Sequence, residues 1–146
     1  MRFPTVLKQV GVPVVLGALL LAAAAPLPAA ERMSSGQWES AMTTDGATRS
    51  VKFCIDAAEA ASNNGDSKTG RAFAEDKAKK AGGRCMVDKY DIKGETISYT
   101  LLCGNRSISS TQTYRGDTAE GVLSTTVQGK ATTTTQIKSR RLGSCP

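Results

Sequence analysis

Histidine is absent from this 146-residue chain, and much ordinary enzyme chemistry goes with it. A Ser-His-Asp or Cys-His site cannot be assembled, nor can a metal centre with imidazole ligands. No Gly-x-x-x-x-Gly-Lys loop is present to cradle phosphate. The four cysteines, Cys54, Cys85, Cys103 and Cys145, are separated by 31, 18 and 42 residues. Zinc sites instead bring thiolates in pairs two to four residues apart, and no Cys-x-x-Cys redox motif occurs. Large apolar residues are scarce as well. From Glu31 onward, Val, Ile, Leu, Met, Phe, Trp and Tyr make up 22 of 116 residues. Val, Ile, Leu and Phe alone make 15, below the ~20% level at which disorder is suspected. The modest net charge and ordered apolar patterning argue for a folded domain whose thin core is reinforced by covalent crosslinks.

The one long apolar run lies at the start. Arg2 and Lys8 precede Val10–Ala25, an uncharged stretch of 16 residues containing Gly11, Pro13 and Gly17. Small residues and prolines follow as far as Ala30. This is the three-part form of a secretory signal, and it falls short of the ~20 residues of a spanning helix. Residues 1–30 therefore read as a cleaved signal peptide, with Ala24, Ala29 and Ala30 as alternative last residues. Residues 31–146 read as a single domain, periplasmic or secreted, with no later run able to cross a membrane. Of the formal +6 charge, Arg2 and Lys8 contribute +2, so the exported part carries +4. That charge permits contact with anionic surfaces without demanding nucleic acid.

An even number of cysteines in an exported chain implies a disulfide framework. Of the three connectivities, Cys54–Cys85 with Cys103–Cys145 is favoured. The first would join the end of an early strand to the strand after the helical segment, and the second would join mid-sheet to C-terminus. Loop closure gives each about 3.5–4 kcal/mol.

Turn signals divide the rest. Strands are expected at Gln37–Thr43 and Thr48–Ile55 around Asp45-Gly46, a strong hairpin dipeptide. Asp56-Ala57-Ala58-Glu59 has the form of a capping box opening a short helix that ends by Gly65. The polar stretch 63–70 reads as a loop. A second helix follows over 71–81, with Ala74, Ala78 and Ala81 on one face near Phe73, ended by Gly82-Gly83. Beyond it, five segments of about ten residues are separated by Gly94, Gly104-Asn105, Gly116-Asp117 and Gly129-Lys130, which reads as an antiparallel meander. Ile97, Tyr99, Leu101 and Cys103 share one face of their strand, as do Ile108 and Tyr114 on the next. The abundant Ser and Thr leave the other sheet face solvated. The fold class is thus α+β: mainly an antiparallel β-meander with one or two short helices inserted after the second strand, held by disulfides.

With that layout in place, the chain resembles the exported bacterial proteins grouped as domain of unknown function family 3617. The resemblance rests on Gly36-Gln37-Trp38-Glu39, on Cys54 after a short second strand, and on Cys85 and Cys103. Tyr114-Arg115-Gly116 and the terminal Arg141-Leu142-Gly143-Ser144-Cys145 complete it. It implies an exported β-rich domain of a Gram-negative cell envelope and no assigned activity. The alanine-rich stretch Ala57–Ala61 departs from the family pattern, where prolines and bulkier residues are commoner.

Candidate functional residues are few, and no cofactor is called for. Asp88 with Asp91, or Glu95 with Asp117, offer carboxylate pairs of the kind that hydrolyse glycosides; solvated acids beside turns explain them more simply. Lys77, Lys79, Lys80 and Arg84 form one basic cluster. Lys138, Arg140 and Arg141 form another, a candidate contact for an anionic envelope partner such as a lipid headgroup, lipopolysaccharide or an envelope protein. The competing explanations are a solvated helix face and a charge-protected edge strand. Aromatic residues do not interleave with these charges, which disfavours nucleic acid. Trp38, Tyr90, Tyr99 and Tyr114 are expected in the core. The sequence favours a non-catalytic binding or interaction module of the envelope. A small carboxylate-dependent hydrolase and a carrier of an apolar ligand are the alternatives, the carrier ranking lower because so few apolar residues remain to line a cavity.

Overall fold

The computed structural model describes residues 31–80 and 82–146, so the expected signal peptide and its cleavage points lie outside the described residues. Strands β1 (Gly36–Thr44) and β2 (Ala47–Ile55) form the first hairpin. Helices α1 (Ala57–Asn64) and α2 (Ser67–Lys80) follow. The meander comprises β3 (Cys85–Lys93), β4 (Thr96–Cys103), β5 (Arg106–Arg115), β6 (Thr118–Val127) and β7 (Thr133–Gly143). All seven strands form one sheet, ordered β2-β1-β7-β6-β5-β4-β3, with every pairing antiparallel. The expected α+β class, with its helices after the second strand, is the observed one. The meander also returns on itself: β7 pairs with β1, setting Ser40 opposite Ser139. That pairing leaves β2 and β3 as the two edges.

Local chemistry explains the elements. Asp45 and Gly46 both have positive φ (49° and 80°), the requirement of the tight turn that matches strand twist. Asp56 caps α1 by accepting from the Glu59 amide at 2.8 Å. α2 begins at Ser67, four residues before the expected start at Arg71. Asp66 is the reason: its carboxylate accepts from the Thr69 amide at 2.7 Å and its carbonyl from Gly70. The expected loop over 63–70 thus shrinks to the Gly65-Asp66 link between the helices.

The sheet has two unlike faces. Its outer face carries hydroxyls that pair across strands, Thr43 with Thr48, Ser98 with Thr111 and Thr100 with Ser109. Its inner face carries Trp38, Ile97, Tyr114, Ala119 and Ile137 in register. Trp38 is fully buried, donates its indole N–H to the Ser34 carbonyl at 3.0 Å and meets Tyr114 edge-on at 6.5 Å. It is a core residue, as expected. Met33, Ile55 and Ala60 complete the small core. The segment ahead of β1 joins distant parts: Asn64 brackets Met33 with hydrogen bonds of 2.8 Å to its N–H and carbonyl. Ser34 and Arg32 bond to the Gly116 backbone, and Arg32 donates to the Gly94 carbonyl.

The disulfides correct the favoured connectivity. Cys54 pairs with Cys145 and Cys85 with Cys103, rather than Cys54 with Cys85 and Cys103 with Cys145. The sheet order supplies the reason. Cys54 sits on edge strand β2 and Cys85 on the opposite edge strand β3. The β1–β7 pairing brings the chain after β7 beside the end of β2, with Cys54 and Cys145 Cα atoms 5.7 Å apart. Cys85 and Cys103 are direct cross-strand partners in the β3–β4 hairpin, 4.2 Å apart at Cα. The crosslinks therefore close very unequal loops, 91 and 18 residues apart in sequence. The entropic estimate becomes about 4.6 and about 3.2 kcal/mol in place of two similar terms.

Candidate functional site: a half-open cavity beneath the second helix

α2 follows β2 in the chain but packs against β3, at the far edge of the sheet. Arg71 fixes it there, donating to the carbonyls of Val87 (2.9 Å) and Asp88 (3.3 Å). Ser67 accepts from the Ile92 amide at 2.7 Å. Gly70 faces the Tyr90 ring so closely that a Cβ there would lie 2.6 Å from it. From this anchor the helix runs over the inner face of the sheet and presents Gly70, Ala74 and Ala78, spaced four apart on one side.

Small residues above the inner face leave room. A cavity of about 580 Å³ lies between α2 and the inner face, within the ~300–1,000 Å³ range of small-molecule sites. Its sheet side is lined by Trp38, Tyr90, Ile97, Tyr99, Leu101 and Ile137, and its helix side by Phe73, Ala74 and Ala78. The exposed lining residues, Val51 and Phe53 on β2 (each 41% exposed), Lys77 on α2 and Arg84 just beyond it, mark the open side. At Gly121 an added Cβ would lie 2.2 Å from the Thr111 carbonyl oxygen on the neighbouring strand. Glycine there permits the close approach of β5 and β6.

The buried polar groups of the cavity bond within the protein. Tyr90 donates its hydroxyl to Asn63 at 2.9 Å, Gln112 donates to Ser110 at 3.1 Å, and the Ser40 and Ser139 hydroxyls meet at 2.5 Å. Among the described residues, no buried side-chain polar atom lacks a partner. Burial pushes the Tyr90 phenol up to about 12 and raises that of Tyr114 in the same direction. Both remain neutral near pH 7. Charge enters the lining through Glu59, Lys77 and Arg84. Lys77 pairs with Glu59 and stands 5.3 Å above the Phe73 ring. Arg84, exposed just beyond the helix, has no hydrogen bond or ion pair among the described residues.

The residues singled out from sequence are distributed differently. Asp88 and Asp91 do share a shallow polar recess with Arg71. Asp91 is held by Lys93 at 3.0 Å and by Ser67 at 3.2 Å, and the Lys93 hydrogen bond, ahead of other causes, lowers its pKa. A glycosidase acid needs the opposite shift. Glu95 and Asp117 stand in different hairpin turns, paired with Arg115 and Arg141 at 3.8 and 4.0 Å. Lys138 and Arg140 lie on the outer face, where Arg140 pairs with Glu39 at 2.9 Å. Arg141 faces the other way and donates to the Ser35 carbonyl at 2.6 Å. In the helical basic cluster Lys80 pairs with Asp76 at 2.6 Å, while Lys77 and Arg84 reach the cavity. The cavity itself was missed. Its signal was the small-residue face of α2 set against a strand of large apolar residues.

Among the described residues no group of His, Cys, Asp and Glu could hold a metal ion, and no helix is long and apolar enough to cross a membrane. A family model described as "Protein of unknown function (DUF3617)" matches residues 33–145. No curated protein and no solved structure matches the chain.

Proposed function

The chain belongs to this family of proteins of unknown function, and on that premise we propose that it is an exported, non-catalytic binding module that holds a small apolar molecule beneath α2. The cavity of about 580 Å³ carries this reading. A chain with so few large apolar residues gains most by packing them together. Here several instead line open space, with Val51 and Phe53 each left 41% exposed. Leaving apolar surface wet forfeits about 25 cal/mol per Å² that an occupant would recover. The residue count that ranked a carrier low measured how much apolar surface exists and not where it faces. Export is supported by the signal-like residues 1–30 and by the two disulfides, which suit an oxidising compartment.

Native mass spectrometry of the protein recovered from a bacterial envelope tests this, followed by denaturation of the same sample. Extra mass that leaves on denaturation is expected, with a polypeptide mass showing signal removal and a deficit of about four hydrogens for the two bridges. The Ala78→Leu variant, which fills the cavity, should return without the extra mass. An empty wild type that also fails to bind a neutral apolar fluorophore would overturn the binding reading.

A further inference from the structure

We propose that the occupant is a single-chain anionic amphiphile, with its chain in the cavity and its headgroup at Arg84 on the rim; this rests on the binding reading above. The buried polar side chains of the interior, Tyr90, Gln112, Ser40 and Ser139 among them, are engaged within the protein, and only the Tyr99 hydroxyl in the lining has no hydrogen bond among the described residues. A polar group carried deep into the cavity would lose its water for at most that one bond. The polar end of the ligand therefore belongs at the rim, and the rim sets its sign. Three charged side chains line the cavity, Glu59, Lys77 and Arg84. Glu59 is already matched by Lys77, which leaves the positive charge of Arg84.

Lys77, Lys79 and Lys80 in the last turn of α2 complement the helix dipole. Arg84 lies past the end of the helix and needs another explanation. Its backbone adjoins Cys85, whose disulfide to Cys103 anchors the base of that loop. Arg84 is thus a planar, permanently charged and exposed donor on the cavity lining, suited to a carboxylate or a phosphate. Both headgroups share one requirement, a full negative charge with acceptor oxygens on a single apolar chain.

Displacement of the neutral fluorophore N-phenyl-1-naphthylamine tests the assignment, using dodecanoate, dodecyl phosphate, dodecanol and dodecyltrimethylammonium below their micellar concentrations. The anions should displace the probe at about tenfold lower concentration than dodecanol, the lower range for one charge-assisted hydrogen bond. The cation should be the weakest. Arg84→Gln should close most of that gap while leaving dodecanol unchanged. A preference between the two anions identifies the headgroup. Equal displacement by dodecanol and dodecanoate, or a gap that survives in Arg84→Gln, would overturn the amphiphile and leave the cavity reading standing. A gap that persists in Ala78→Leu would place anion binding elsewhere and overturn it as well. A probe that never binds wild type would remove the binding reading itself.

Discussion

Strand β3 at one edge of the sheet is covered, whereas β2 at the other is bare. α2 lies along β3, and Arg71 and Ser67 bond to its backbone. Along β2 every residue except Ile55 is exposed, and no helix lies against it. The helices follow β2 directly in the chain yet cross to the far edge. The difference shows what the helical insertion does. It occupies backbone groups of an edge that would otherwise be free to pair with another chain, and it leaves Val51 and Phe53 of β2 uncovered. The cavity mouth is a consequence of that asymmetry.

The asymmetry can be broken in order of severity. The double substitution Cys54→Ser with Cys145→Ser removes the only covalent tie on β2 and should cost about 3–5 kcal/mol in chemical denaturation. The Cys85→Ser and Cys103→Ser pair should cost about 1 kcal/mol less, because its loop is shorter and α2 still holds β3. Gly70→Ala drives a methyl group into the Tyr90 ring and should cost about 1–3 kcal/mol despite the better helix propensity of alanine. A gain in stability there would show that the helix does not press on β3. Arg71→Ala should cost about 1–2 kcal/mol by freeing the Val87 and Asp88 carbonyls. Arg49→Ala on the bare edge should stay within about 0.5 kcal/mol.

The mildest test is alkaline. The folded-state pKa of Tyr90 is raised to about 12 from an ordinary value near 10. Folding therefore favours the protonated phenol. Its contribution is fully present below pH ~10 and fades as pH rises toward 12. Stability should fall across that window, and Tyr90→Phe should flatten the fall.

Local chemistry was legible in the sequence. The Asp45-Gly46 turn, the Asp56 cap and the alternation of Ile97, Tyr99 and Leu101 each depend on residues a few positions apart. Asp66 carried a comparable signal for the start of α2, hidden by the polar residues around it. The β1–β7 pairing was not legible, because Ser40 and Ser139 look like any other polar strand residues. The disulfide connectivity followed that pairing and was lost with it. The cavity escaped for a related reason. Ala74 and Ala78 read as a helix face suited to packing, and whether such a face meets its neighbour or stands off from it depends on where the helix is anchored. That anchor is Gly70 against Tyr90.

The distance in sequence between β1 and β7 has a further consequence, for the order of events after synthesis. Ser40 and Ser139 stand 99 positions apart, and Cys54 waits for a partner 91 positions later. Neither the β1–β7 pairing nor the longer bridge can form until nearly the whole described chain has reached one place. Such long-range closure is slow. Local hairpins and the Cys85–Cys103 bridge can therefore close first, and the β1–β7 seam with its Cys54–Cys145 bridge closes last.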